Sequence, residues 1–343
     1  MPLIDLAERG LLPDALIRIG IRRLCAKRLI DEHIDDVEQA DARSRALLET
    51  LCNSPIAIAT EAANAQHYDL PSRFFELCLG KRLKYSSGYY ATGSETLDQA
   101  EEAMLALYGE RALLADGQRI LELGCGWGSL TLWMAERYPN ARITGVSNSN
   151  GQRRHILQQA AVRGLSNVEI LTRDVNVLAL DERYDRIVSI EMLEHVRNHR
   201  ELFKRLRGWL ADDGLLFVHI FCHRTLLYPF EDQASDDWMA RYFFSGGLMP
   251  AADTFLQLQD DLLLQQRWLV SGTHYQRTAE HWLQNQDAHR DAVMQVLVPA
   301  YGEADAQRWA QRWRIFWMSC AELFGYDRGN QWGVAHYRFG RRA

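Results

Sequence analysis

Arg119-Ile-Leu-Glu-Leu-Gly-Cys-Gly-Trp-Gly128, followed by Ser129-Leu-Thr-Leu-Trp-Met-Ala-Glu-Arg137, decides the fold. Residues 120–123 form the short apolar run of a fully buried strand, and residues 129–137 carry a helical pattern. Glycines at 124, 126 and 128 let the chain turn sharply and approach a ligand with no Cβ in the way. The helix that follows offers unsatisfied N–H groups at its start. Outward from this segment the alternation recurs, with apolar runs at 143–146, 168–171, 187–190 and 215–220 separated by helical stretches. That spacing predicts βαβ units and a doubly wound parallel sheet, an α/β fold. Two later strand-like runs, 265–275 and 333–339, with helices beginning near Thr278 and Asp305 between them, are expected to pair antiparallel at the sheet edge.

Residues 1–65 show helical patterns broken near Pro13, Asn53 and Pro55 and no strand pattern, so they are read as a helical arm ahead of a main domain at 66–343. Between about 222 and 263 the alternation stops in a segment rich in aromatics and acids. A stretch this long is rarely idle, and it is read as an inserted helical substrate cap. The formal charge of −6 excludes a sequence-independent nucleic-acid binder, which needs an excess of Lys and Arg. The basic residues Arg18, Arg22, Arg23, Lys27 and Arg28 are read first as a solvated helix face, with a membrane-surface or partner contact as the alternative. No apolar run approaches the length of a membrane span and the first residues show no signal-peptide pattern, which points to a cytoplasmic protein. Six cysteines without a C-x-x-C pair are read as reduced thiols, and no metal site is expected. Peripheral lipid contact and a homodimer stay open.

The G-x-G-x-G turn alone is weak evidence. A dinucleotide site would show an acid at the end of the second strand, where this chain has Gly145-Val-Ser-Asn-Ser149. Ser147, Asn148 and Gln152 are suited to ribose hydroxyls, although Ser149 or Asn150 as a helix cap accounts for part of the pattern. Asp174, at the end of the third run, suits an adenine amino group, with Val175 and Ile190 as apolar walls. A plain turn aspartate is the competing reading.

Several segments carry a specific resemblance in order and spacing. They are Lys84-Tyr-Ser-Ser-Gly-Tyr-Tyr90, the glycine turn at 122–128, Asp185-Arg-Ile-Val-Ser-Ile-Glu-Met-Leu-Glu-His195 and Leu323-Phe-Gly-Tyr326. Together they resemble the cyclopropane-fatty-acid synthase superfamily. Leu12-Pro-Asp-Ala-Leu-Ile-Arg-Ile-Gly20, Cys222-His-Arg-Thr225, Asp236-Asp-Trp238 and His274-Tyr-Gln-Arg-Thr278 extend the likeness toward the plant benzylisoquinoline-alkaloid N-methyltransferases of coclaurine N-methyltransferase type. The resemblance implies a Rossmann-like class I methyltransferase fold binding S-adenosylmethionine. It implies that Tyr85 and Ser86 reach the methionine end of the cofactor, and it carries over Gly124, Asn148, Gln152, Asp174, Val175 and Ile190, with Gly126 and Ser147 in the same turns.

Glu194 and His195 follow the fourth strand at the carboxyl edge of the sheet, where ligands bind. They match the glutamate-histidine pair of the alkaloid enzymes and are the candidate catalytic residues for a small, cyclic or aromatic amine. Such a pair accepts a proton and stabilises the developing ammonium. Glu191 matches a further acid that steers the cationic substrate. An acidic start to the helix at 199–209 is the structural alternative. Cyclopropane synthases instead hold bicarbonate, at positions matching Glu194, His219 and Tyr326, with Ser87 in place of a cysteine that acts partly through its backbone. His219 lies on an apolar strand and reads equally well as a satisfied core histidine. The alternatives are therefore acyl-chain modification in unsaturated phospholipid and a non-enzymatic cofactor-binding module.

Overall fold

The structure is a computed structural model that describes residues 3–58, 70–232 and 237–342. Both the arm boundary at 65/66 and Asp236 lie outside the described residues. Strands β1 (Arg119–Leu123), β2 (Arg142–Ser147), β3 (Val168–Thr172), β4 (Tyr184–Ile190) and β5 (Leu210–His223) are parallel to one another. Tyr228–Pro229 (β6) and Leu248–Met249 (β7) form a separate two-strand ladder. Leu262–Val270 (β8) and Trp332–Arg341 (β9) complete a seven-stranded sheet of order β3-β2-β1-β4-β5-β9-β8. β9 is antiparallel to both neighbours and is inserted between β5 and β8. The strand order reverses between β1 and β4, so the turns leaving these two strands diverge and open a crevice at their carboxyl ends.

The apolar runs become strands because both faces of the sheet are covered. Met104, Leu105, Ile120, Trp133 and Phe217 close one side under helices Leu97–Arg111 and Ser129–Arg137. Leu121, Leu123, Phe203, Leu206 and Val218 close the other under helix His199–Trp209. Helix Leu97–Arg111 starts at a capping box formed by Thr96 and Gln99.

The edge pair forms as expected, with one difference at its boundary. The strand ends at Val270 and a helix, Gly272–Ala288, takes over. Ser271 caps it through the Thr273 N–H, and a Cβ on Gly272 would clash with the carbonyls of Phe324 and Trp332. Tyr275 therefore sits on a helix. Helices Arg290–Tyr301 and Glu303–Gly325 follow, and Trp282, Trp313 and Trp317 are buried where they meet.

Segment 222–263 carries less helix than expected. Its described part holds the β6–β7 ladder, helix Trp238–Tyr242 and the 3-10 turn Thr254–Gln257. Pro229, Gly246, Gly247 and Pro250 break up longer helix, and ring packing holds the segment instead: Phe243 stacks on Phe316 at 4.5 Å. The greater part of the cover is supplied by the helices of 272–325.

The arm consists of helices Leu3–Glu8, Asp14–Asp31 and Val37–Cys52. Part of its basic cluster pairs with the rest of the molecule. Arg18 bonds both Glu280 and Glu322, Arg22 bonds Glu322, and Arg28 lies over the Tyr228 ring. Arg22, Arg23 and Lys27 stay exposed, as a solvated face would have them, while Arg18 and Arg28 are half-buried. Carboxylates on two covering helices draw the Arg18 guanidinium inward. No helix among the described residues is long and apolar enough to cross a membrane.

Candidate active site

The β1 turn is built on left-handed glycines at 124, 126 and 128. A Cβ at Gly124 would stand 2.7 Å from Met192, and one at Gly128 2.7 Å from Ile156, whereas one at Gly126 would meet nothing within 4 Å. Gly126 thus presents bare backbone to the crevice. A cleft opens there, lined by Gly124, Gly126, Ser147, Asn148, Gln152, Asp174 and Val175. Ala57 and Ile58, just beyond the arm, add an apolar wall. They are held by Asn176, whose side chain bonds the Ala57 N–H and C=O, and by an Arg197 N–H to Ile56 O bond. Sequence reasoning missed this wall because nothing local marks 56–58 as docking against the turn after β4.

The helix-cap reading of the polar turn holds, and Ser147, Asn148 and Gln152 border the cleft. Ser149 caps helix Asn150–Val162 through the Gln152 N–H, while Ser147 Oγ donates to Gln152 Oε1 at 2.6 Å. That bond leaves Gln152 Nε2 buried without a protein partner. Asp174 Oδ1 accepts the Asn176 N–H in a turn, and Asp174 still borders the cleft.

A second cavity adjoins the first at Gly124, Gly126 and Gln152 and is lined by Lys84, Tyr85, Ser86, Trp127, Ser129, Ile190 and Glu191. Tyr85 and Ser86 thus line this second cavity, beside the glycine turn. Ile190 belongs to this end, away from the wall it was expected to form with Val175. Trp127 Nε1 and Ser129 Oγ are buried with no protein partner. Unpaired buried donors around a bare glycine turn fit a ligand that is nucleoside at one end and zwitterionic amino acid at the other.

A third chamber is almost wholly aromatic and apolar, with Phe221, Phe230, Phe244, Tyr275, Trp282 and Phe324 among its walls. Tyr85 joins it to the second cavity, and His195 joins it to the first. Glu191 borders all three.

Glu191 leaves β4 with φ +48, a left-handed conformation that strains a residue with a side chain. Its carboxylate accepts the Ser87 N–H (3.1 Å), the Tyr275 hydroxyl (2.7 Å) and a contact from His219 Nε2 (3.0 Å). Burial pushes it up to about 7, against the pull of Lys84 and Tyr275. Burial lowers Lys84 to about 8, and its ammonium donates to Ser86 Oγ and Ser87 O. Ser87 therefore acts through its backbone, while its hydroxyl donates to Gly88 O. His195 lies 4.7 Å from the Phe244 ring, and burial lowers it to about 4, so its imidazole is neutral.

Glu194 is placed differently from its neighbours. It is fully buried behind the Leu193–His195 turn, Oε1 accepts the Phe221 N–H at 2.7 Å, and it lines none of the three cavities. Burial, reinforced by Glu191, raises it well above the carboxylate range. Tyr326 opens toward a separate groove between the arm and residues 251–257. Tyr275 occupies the carboxylate contact instead. Its signal lay in the quoted His274-Tyr-Gln-Arg-Thr278, hidden by the strand reading.

A family model described as mycolic acid cyclopropane synthetase matches residues 57–332. The (S)-coclaurine N-methyltransferase of Thalictrum flavum subsp. glaucum is 38% identical over 99% of this chain and 95% of its own length. The chain belongs to this family of S-adenosylmethionine-dependent methyltransferases. Another methyltransferase of the same plant, pavine N-methyltransferase, is 34% identical over 99% of this chain and 96% of its own. A crystal structure of coclaurine N-methyltransferase bound to N-methylheliamine and SAH superposes with a TM-score of 0.95, at 39% identity and 98% coverage of both chains. The methyltransferase sheet, arm and covering segments are thus shared along the whole described chain.

Proposed function

We propose that this enzyme transfers the methyl group of S-adenosylmethionine to the nitrogen of a small cyclic or aromatic amine. The observation that carries this reading is the position of Glu191 and His195, at the seam between the paired cofactor cavities and the aromatic chamber. The curated relatives and the superposed structure are N-methyltransferases by name, which supports the same acceptor class.

Bound in the two joined cavities, the cofactor supplies an electrophilic sulfonium methyl. Ser147, Asn148, Gln152 and Asp174 would hold its nucleoside end, and Tyr85, Ser86 and Ser129 its amino-acid end. The chain's remaining task is to present a nitrogen lone pair in line and to exclude water. An ammonium entering the chamber is drawn by Glu191 and by the faces of Phe, Tyr and Trp rings. Neutral His195 and Glu191 are the two groups able to take its proton. As the N–C bond forms and the C–S bond breaks, the nitrogen becomes cationic beside the same carboxylate, which stabilises it. Glu194 acts from behind, fixing the backbone at Phe221, and leaves Glu191 as the carboxyl that faces the amine.

Incubation with methyl-labelled S-adenosylmethionine, a panel of secondary and tertiary cyclic amines and, separately, unsaturated phospholipid vesicles tests the proposal. Label in the amines supports it. Label in lipid alone overturns it in favour of acyl-chain modification.

A further inference from the structure

Behind Glu191 a file of buried side chains crosses the sheet to the far end of helix Leu97–Arg111. Arg111, the last residue of that helix, places NH1 2.7 Å from His336 Nδ1. His336 Nε2 is 2.9 Å from His219 Nδ1, and His219 Nε2 is 3.0 Å from Glu191 Oε1. The register of the sheet assembles the file, since His219 on β5 pairs with Ile190 on β4 and with His336 on β9. Both imidazoles are fully buried.

A guanidinium has donors and no acceptor, and it does not lose its proton in proteins. Its contact with His336 therefore requires a bare Nδ1 on that ring, which puts the proton of the neutral imidazole on Nε2. That N–H points at His219 Nδ1, which must accept. The Tyr108 hydroxyl lies 2.8 Å from the same nitrogen and shares its single lone pair with the His336 N–H. His219 is then left with Nε2–H, aimed at the Glu191 carboxylate. Reversal of either ring would set N–H against N–H or a lone pair against a carboxylate. Burial, with Lys84 and Arg111 nearby, holds both rings well below the usual imidazole range, so a second proton on either does not rescue the reversed order.

We infer that Arg111 is a positioning residue, which fixes the tautomers of His336 and His219 so that Glu191 receives an N–H and faces the acceptor chamber as a carboxylate. The inference rests on the role proposed above for Glu191. Arg111 itself lies over the Trp268 ring on β8, remote from the three cavities. Glu191 is also faced by Lys84, His195, Glu194, Tyr275 and Cys320, and by Tyr108, whose hydroxyl meets the file at His219 Nδ1 and not at the His336 contact with Arg111.

The test compares Arg111→Met with Arg111→Lys, which also donates without accepting. His336→Gln, able to accept at one amide atom and donate at the other, is compared with His336→Met. Ring nitrogens of 15N-histidine-labelled, ligand-free protein report whether Nδ1 or Nε2 carries the proton. Arg111→Met should lose the single-tautomer pattern at His219, and the acid limb of its kcat/KM profile should move up by about one pH unit, a roughly tenfold loss at a fixed pH on that limb. Arg111→Lys and His336→Gln should keep both properties, and His336→Met should lose both. Unchanged ring signals in Arg111→Met, or equal losses in the Met and Lys variants, would overturn the inference. The spectra involve no acceptor, so a wrong amine assignment leaves that readout intact.

Discussion

Glu191 gathers three donors from three parts of the chain, and its conformation is strained at φ +48. Strain of this kind persists where surrounding contacts over-determine it. Glu191→Gln should lower turnover by about 10²–10⁴-fold while leaving cofactor affinity within a few-fold, measured by initial rates and by calorimetry with S-adenosylmethionine. His195→Ala should cost most with a secondary amine, whose proton must leave, and less with a tertiary one. Equal losses with both substrates would assign His195 a structural part. The cofactor-facing residues were legible because they cluster at the ends of short strands with Gly, Ser, Asn and Asp at fixed offsets. Lys84, Tyr108, Tyr275 and His336 were not. Each reaches the site from another element, and only sheet register or helix docking brings it there.

At the scale of elements, three glycines in one turn have different duties. Gly124→Ala would drive a Cβ to 2.7 Å from Met192 on the turn that carries Glu191, so it should lower the melting temperature as well as cofactor affinity. Gly126→Ala has room for its Cβ and bears only the left-handed backbone cost of roughly 1–2 kcal/mol. It should keep most of its stability and lose affinity chiefly because the methyl group intrudes on the crevice. Thermal melts and titration calorimetry on the two proteins would separate these effects, and identical behaviour would contradict the geometry. The parallel strands and their helices were legible from apolar runs of four to six residues and clear periodicity. The cap was legible as an insertion with helix in it, but its two-strand ladder was not, because dense Phe, Tyr and Trp promise burial without specifying backbone form. The roof over the chamber comes largely from helices 272–288 and 303–325, whose inward faces are recognisable only once β9 is known to return beneath them.

Across the whole molecule, buried ionisable groups make stability depend on pH in two opposing ways. Burial raises Glu101 to about 7, Glu122 to about 8 and Glu191 to about 7, above their usual 4.5. Their contribution is therefore complete below about 4.5 and is lost as pH rises through about 7–8. Burial lowers His195, His199 and His223 to about 4, and it holds His219 and His336 lower than usual as well. Their contribution is complete above about 6.5 and is lost as pH falls toward 4. On the acid side the lowered histidines outnumber the raised acids, and above about 6.5 the raised acids, Glu194 among them, outnumber Lys84, which burial lowers to about 8 and which acts in the opposite sense. The melting temperature should rise up to about pH 6.5 and fall between about 6.5 and 8. Glu122→Gln should flatten the fall, and a plateau in the parent protein across that interval would refute the assignment. The place of β9 between β5 and β8 also gives assembly a timetable. During synthesis at roughly 5–20 residues per second, β9 follows β8 by about 60 residues, a delay on the order of several seconds. Until then β5 keeps a bare edge of the kind that invites wrong partners. His336 arrives with that late strand, so the nascent polypeptide can shape its nucleoside crevice while the carboxylate at its heart is still unaligned, and the catalyst switches on only as the sheet is latched.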